Sequence, residues 1–189
     1  MKHEFEAKFL AIDVAQIRLL MKRAGFENRS LRFLMRRQTF DFPDVPDGVS
    51  KFGRVRQEAT GVTMTIKEVR GKSIRDTLEA EVRVDDFDRS CAFLKACGLT
   101  PASLQENYRE EWVRGELYVT IDEWPGLKPF LEVEGPSEDA VGQLCDELTL
   151  DISTAMHGTI DLVYERELGV DRTRINTAPT ITFDAPPTL

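Results

Sequence analysis

From Glu4 to Glu134 this chain repeatedly alternates a charged or hydroxyl-bearing residue with an apolar one, and that period of two limits what it can fold into. Successive residues of a strand point to opposite faces of a sheet, so each i, i+2 set shares a face. Glu4, Glu6 and Lys8 share one, against Phe5, Ala7 and Phe9. Arg54, Arg56 and Glu58 form the next set, then Thr63, Thr65 and Lys67, then Glu79, Glu81 and Arg83. Tyr118, Thr120 and Asp122 continue the series, and Glu132 with Glu134 closes it. Opposite the later sets stand Met64 and Ile66; Ala80, Val82 and Val84; Leu117, Val119 and Ile121; Leu131 and Val133. Each strand therefore has one apolar and one ionic face.

The same reading places the other elements. Residues 32–42 and 104–113 read as further strands, beside 51–58, 62–69, 74–84, 116–122 and 129–134, with residues 70–73 connecting two of them. Asp13 is placed to cap a helix carrying Ile17, Leu20, Met21 and Ala24, and Gly25 to end it. Residues 87–97, stopped by Gly98, and residues 138–148 and 153–168 read as three more helices. The result is an α+β chain built on a largely antiparallel sheet of about eight strands. Residues 1–169 make one domain, and the Thr- and Pro-rich residues 170–189 read as a tail that is mobile or strapped to the surface.

Thirty-three acidic against 25 basic residues give a net charge of -8, which disfavours a long nucleic acid held on a broad basic exterior. No apolar run approaches the roughly 20 residues that cross a bilayer, and the start lacks the roughly 7–15 residue apolar stretch of a secretory signal. A cytoplasmic chain with no membrane partner is expected, and a homodimer by the base rate for soluble proteins. Cys91, Cys97 and Cys145 are odd in number and lie in helix-like apolar patterns, so they read as reduced core thiols. Two histidines, His3 and His157, do not make a structural zinc site.

The ionic faces admit two readings. Each could simply meet solvent, with the apolar face on the core. Yet a solvent face mixes in Ser, Asn and Gln, whereas here the pairs E-x-E, R-x-R, E-x-E and E-x-E recur. About eight strands can close into a barrel that holds side chains or one small ligand. With helices on its apolar outside, such a barrel has a charged tunnel, and buried charges need partners. Paired carboxylates suit Mg²⁺ or Mn²⁺, and Arg forks suit phosphate oxygens, so a metal-bound polyphosphate answers both.

These residues in this order resemble the CYTH domain, the triphosphate tunnel metalloenzymes. Glu4-Phe5-Glu6-Ala7-Lys8 is similar to the family's E-x-E-x-K, Arg54-Val55-Arg56 to its R-x-R strand, Thr65-Ile66-Lys67 to its lysine strand, and Glu79-Ala80-Glu81 to its second acidic pair. Asp122 with Pro125, Gly126 and Leu127, and then Phe130-Leu131-Glu132-Val133-Glu134, resemble its aspartate strand and last acidic pair. The resemblance spans residues 3–168. It departs at one place: the family's K-x-R is here Asn107-Tyr108-Arg109, so the arginine carries over and the lysine does not. Arg36 and Arg37 are adjacent on the second strand, and parity leaves open which faces the ionic side.

The resemblance implies an eight-stranded antiparallel β-barrel with helices packed outside, and an enzyme that hydrolyses a triphosphate with Mg²⁺ or Mn²⁺. Inorganic triphosphate, a nucleoside triphosphate or thiamine triphosphate would be the small-molecule substrate. Lys8, Arg54, Arg56, Lys67 and Arg109 would hold phosphate oxygens. Glu4, Glu6, Glu79, Glu81, Asp122, Glu132 and Glu134 would hold metal, with Glu4, Glu6 and Lys8 catalytic. Two alternatives share the scaffold: a class IV adenylyl cyclase, which makes cyclic AMP and pyrophosphate from ATP, and a non-catalytic polyphosphate or nucleotide binder. Phosphate-loop spacings fail here, because Arg54-Val55 stand where Lys-Ser/Thr is required after Gly48 and Gly53. His157 reads as a packed or capping residue, and Trp112 and Trp124 as core or rim aromatics, with base stacking open to Trp124.

Overall fold

The computed structural model describes residues 1–71, 73–74 and 76–187. In chain order the elements are β1 (Lys2–Phe9), α1 (Val14–Arg23), β2 (Glu27–Asp41), β3 (Ser50–Glu58), β4 (Gly61–Val69) and β5 (Thr77–Val84). They continue with α2 (Phe87–Ala96), β6 (Thr100–Arg114), β7 (Leu117–Glu123), β8 (Phe130–Gly135) and α3 (Glu138–Glu147). After a 3-10 turn over Ile152–Thr154 come α4 (Ile160–Leu168), α5 (Arg172–Asn176) and β9 (Thr180–Ile181). Lys72 of the predicted 70–73 connection, Arg75 of the predicted fifth strand and Thr188 and Leu189 of the tail lie outside the described residues.

The strands are ordered β2-β3-β4-β5-β1-β8-β7-β6, and β6 pairs back onto β2, which closes an eight-stranded antiparallel barrel. β9 adds to the outside of β6 as its parallel neighbour. The period of two decides which side is which. Ala7, Phe9, Val119, Ile121, Leu131 and Val133 point outward under Ile17 and Met21 of α1 and Val141, Leu144 and Cys145 of α3. Phe40 and Val55 of β2 and β3 do the same under Phe87 and Leu94 of α2. Asp13 caps α1, its side chain accepting from the backbone N–H of Ala15 and Gln16 at 2.9 and 3.1 Å.

Four expectations are corrected. The second strand begins at Glu27, five residues early, because β6 extends to Arg114 and gives it a partner along that length. Residues 153–168 are not one helix. Gly158, at φ +108°, sits between an extended stretch and α4, and Met156 pairs both ways with the backbone of Lys8 at 2.9 Å. The ladder from β1 to β5 ends at Glu4, so the backbone groups of Glu6 and Lys8 on that edge need partners, and residues 156–157 supply them. Ala80 and Val82 of β5 are exposed rather than covered by a helix. Of the cysteines, Cys145 alone is buried, while Cys91 is half-buried and Cys97 exposed.

Beyond α4, Val170, Ile175 and Ile181 pack with Trp124, Phe130 and Tyr164, which holds residues 170–181 against the barrel. No helix among the described residues is long and apolar enough to cross a membrane.

Candidate functional site: a charged tunnel

The barrel encloses a cavity of about 770 Å³. All twelve charged residues selected from the sequence line it: Glu4, Glu6, Lys8, Arg54, Arg56, Lys67, Glu79, Glu81, Arg109, Asp122, Glu132 and Glu134. Strand order then sorts them by sign. Arg109 on β6, Arg37 on β2, Arg54 and Arg56 on β3 and Lys67 on β4 form a basic arc, since these four strands are consecutive around the ring. Glu79 and Glu81 on β5, Glu4 and Glu6 on β1, Glu132 and Glu134 on β8 and Asp122 on β7 form the acidic arc opposite. Two lining cations stand on the strands of the acidic arc, Lys8 on β1 and Arg83 on β5, and Asp41, Glu58 and Glu111 line the cavity from the strands of the basic one.

The ladders set like charges directly across from each other in both arcs. Glu6 is the register partner of Glu134, and Arg37 of Arg56. Such pairs are destabilising unless a charge of the other sign lies between them. Much of the charge is paired internally. Lys8 Nζ bridges Glu6 at 2.9 Å and Glu132 at 2.7 Å, and Lys67 Nζ lies 2.6 Å from Glu4 and 3.5 Å from Glu6. Arg109 donates to both Asp122 oxygens at 2.8 and 2.7 Å and to Glu132 at 2.8 Å. Asp122 also accepts from Asn107 at 2.7 Å and Thr120 at 2.9 Å, so its oxygens are fully engaged.

Among the described residues, two groups of the arcs, Glu134 and Arg37, are left without an ion-pair partner. Glu134 has no cationic partner among the described residues, and its carboxyl is pushed up to about 8 by burial and then by Glu4, Glu132, Glu6 and Glu79. Arg37 is buried with no carboxylate in ion-pair range among the described residues, and its Nε is unpartnered. Burial, followed by Arg54, Arg56 and Arg109, holds its pKa well below the usual guanidinium range. Arg54 shows the same signs, with an unpartnered Nε and only long contacts of 3.8 and 3.9 Å to Glu79 and Glu81. Glu79 Oε2 lacks a hydrogen bond, and Glu4 Oε2, though 2.6 Å from Lys67, is outside hydrogen-bonding geometry.

Neighbours decide the direction for the paired groups. Burial raises the Glu6 carboxyl, and Lys67 and Lys8 only partly offset this. Burial would raise Glu132 too, but Lys8 and Arg109 outweigh it and hold that carboxyl well below the usual range.

Arg37 is the functional residue that parity left undecided. It faces the lumen, while Arg36 points outward, bonded to Gln57 and stacked on Phe87. Arg37 donates to the Asn107 side chain and lies 4.6 Å from the centroid of the Trp124 ring. Asn107 thus links Arg37 to Asp122 where the resembling family has a lysine. Trp124 is almost wholly buried under this guanidinium, so its ring face is not open to a base. His157 is a structural tie: its Nδ1–H donates to the backbone carbonyl of Glu6 at 2.8 Å.

The raised Glu134 carboxyl has a measurable consequence in metal-free protein. An acid whose folded pKa lies above its unfolded value takes up a proton on folding between the two, so its contribution to stability falls as pH rises from about 4.5 to about 8. Glu134→Gln is expected to remove that slope and to be more stable than wild type at pH 9, by an amount on the order of a few kcal/mol. Parallel thermal-stability profiles of the two proteins between pH 5 and 9 would disprove it.

No family model matches the chain, and no curated protein sequence matches it. Solved structures do. A candidate adenylate cyclase from Vibrio parahaemolyticus aligns with a TM-score of 0.69 at 16% identity, over 87% of this chain and 98% of the other. One from Bacillus halodurans aligns at 0.56 and 18%, over 84% and 94%. A candidate adenylyl cyclase from Hippeastrum with a dominant triphosphatase activity aligns at 0.52 and 15%, over 88% and 95%. At identities between 15 and 18% the likeness is one of fold, and the closed antiparallel barrel is the fold that the resemblance to the CYTH domain implied.

Proposed function

We propose that this chain hydrolyses a linear triphosphate inside its tunnel with the help of Mg²⁺ or Mn²⁺. The observation that carries this reading is the incomplete compensation of the two arcs among the described residues: Arg37 lacks an anionic partner and Arg54 has only long contacts of 3.8 and 3.9 Å on one side, and Glu134 lacks a cationic partner on the other. A polyanion that brings its own divalent cation neutralises both. The Hippeastrum protein, alike in fold, is described by its dominant triphosphatase activity, which supports the same reading.

The residues present fit a hard divalent cation. The donors of the acidic arc are all carboxylate oxygens, and Glu134 faces Glu4, Glu6, Glu79 and Glu132 without a countercharge. Among the described residues, no three acidic, His or Cys side chains are already gathered as a metal cage. Binding would therefore draw Glu4 and Glu6 away from Lys67. Glu4, Glu6, Glu79 and Glu134 would hold the cation, with Glu81 nearer the mouth. When bound, it would neutralise phosphate charge and favour ionisation of a nearby water.

Arg37, Arg54, Arg56, Lys67 and Arg109 would grip the phosphate oxygens, the arginines by paired N–H donors. Asp122 and Glu132 would act by holding Arg109 and Lys8 in place, as their contacts already do. Water attacks the terminal phosphorus, the P–O bond to the next phosphate breaks, and the charge left on the departing oxygen is met by the basic arc. Positioning and charge stabilisation are all that phosphoryl transfer asks of the protein.

The test is to incubate the protein with inorganic triphosphate, ATP or thiamine triphosphate, with Mg²⁺, Mn²⁺ or a chelator, and to identify every product. Orthophosphate that appears only with a divalent cation is expected. Cyclic AMP with pyrophosphate would replace this reading by the cyclase, and tight binding without product by a non-catalytic binder. Arg37→Ala and Arg56→Ala are expected to raise KM more than they lower kcat; unchanged kinetics in both would remove them from the phosphate set.

A further inference from the structure

β5 leaves one edge of the barrel open. Its ladder to β4 runs the whole length, from Val69 opposite Thr77 to Val62 opposite Val84, but its ladder to β1 covers only Thr77, Leu78 and Glu79. From Ala80 to Val84 the second edge has no strand beside it among the described residues, and residues 80–83 are exposed. Val82, on the outer face, is 53% exposed. The Arg83 side chain has no hydrogen bond or ion pair with any described residue.

Unpaired N–H and C=O groups in such a row are a template for another strand, and proteins usually guard them with charges that repel a copy. This edge does the reverse. Its sequence, Ala80-Glu81-Val82-Arg83-Val84, carries opposite charges two residues apart and apolar residues between. Laid antiparallel against itself about Val82, it sets Glu81 opposite Arg83 of the partner subunit, twice, on the inner face. On the outer face it sets Ala80 opposite Val84 of the partner subunit, twice, and Val82 opposite itself. Directly opposed residues of antiparallel strands share a face, so the charged pairs and the apolar pairs fall on separate sides.

We propose that two copies of this chain associate through the open edge of β5, as an antiparallel strand pair about a two-fold axis at Val82. A closed two-fold contact of this kind satisfies both edges at once and leaves no further edge to recruit a third copy. Glu81 and Arg83 both line the tunnel mouth, so each subunit would bring its Arg83 to the mouth of the other tunnel. A ladder of five residues is small beside the interfaces of permanent dimers, so the association is reversible and depends on concentration.

Sedimentation velocity of the full chain over a range of concentrations tests it, with charge reversal at two positions. Wild type is expected to shift from monomer to dimer as concentration rises. Arg83→Glu alone opposes Glu81 to glutamate, and Glu81→Arg alone opposes Arg83 to arginine, so each is expected to weaken self-association by roughly tenfold or more. Mixed in equal amounts, the two variants carry complementary edges and are expected to form a heterodimer at concentrations where each alone is monomeric. A wild type that stays monomeric throughout would overturn the proposal, as would single variants that dimerise as tightly as wild type, or a mixture that stays monomeric.

Discussion

Glu6→Gln and Glu134→Gln are each expected to lower turnover of the preferred triphosphate by roughly 10² to 10³-fold, with the cation concentration needed for half-maximal rate rising in parallel. Each substitution keeps the shape of the side chain and removes one negative charge. The two carboxylates are register partners on β1 and β8, so either change halves the charge facing a cation between those strands. Stability should move the other way. Removing Glu134 relieves a buried carboxylate that faces four others, so that variant loses activity while its metal-free fold becomes firmer at alkaline pH. A purely structural role would link loss of activity to loss of stability. Measured rates against Mg²⁺ or Mn²⁺ concentration, with melting curves of the same samples, separate the two. Wild-type turnover and cation dependence in both variants would end the assignment of the acidic arc as a cation site.

The largest effect on folding is expected from Arg109→Ala. Arg109 is the common partner of Asp122, which is completely buried, and of Glu132. Removing the guanidinium leaves Asp122 with only the Asn107 amide and the Thr120 hydroxyl as donors. Breaking a buried ion pair from one side costs about 3–5 kcal/mol, because the remaining charge stays desolvated without its partner. The double variant Arg109→Ala/Asp122→Asn removes both charges and should recover part of that loss, a coupling that a double-mutant cycle by denaturant unfolding would read. A single variant within about 1 kcal/mol of wild type would show that the lumen re-solvates Asp122 freely.

The legible part of the site follows from alternation. Once Glu4, Glu6 and Lys8 were assigned to one face and Ala7 and Phe9 to the other, every charged residue selected by the same rule lined the cavity. Three features were not legible. Arg36 and Arg37 are equally charged neighbours, and only the inward turn of β2 distinguishes the arginine facing Arg56 from the one stacked on Phe87. Asn107 looked like a lost cation, yet it ties Arg37 to Asp122 because β2 and β6 are neighbours across the closure of the barrel. Residues 153–168 read as one helix, but over 153–157 the free edge of β1 leaves the backbone groups of Glu6 and Lys8 to be met, and a helix there would leave them unused. Gly158, inside the supposed helix, was the available signal.

Parity is a local property, set by the direction of successive Cα–Cβ bonds, so the sequence alone determined that one face of nearly every strand would be ionic and which side chains it would carry. Segregation into a basic and an acidic arc is not local. It depends on β5, β1, β8 and β7 being consecutive around the ring although they are scattered in the chain, an order that only closure of the sheet through β2 and β6 decided. Among the described residues, the same closure left Glu134 and Arg37 without an opposite charge in ion-pair range and the end of β5 without a neighbouring strand, because the number of strands and their lengths, rather than any residue's preference, determine which edges and which charges find one another.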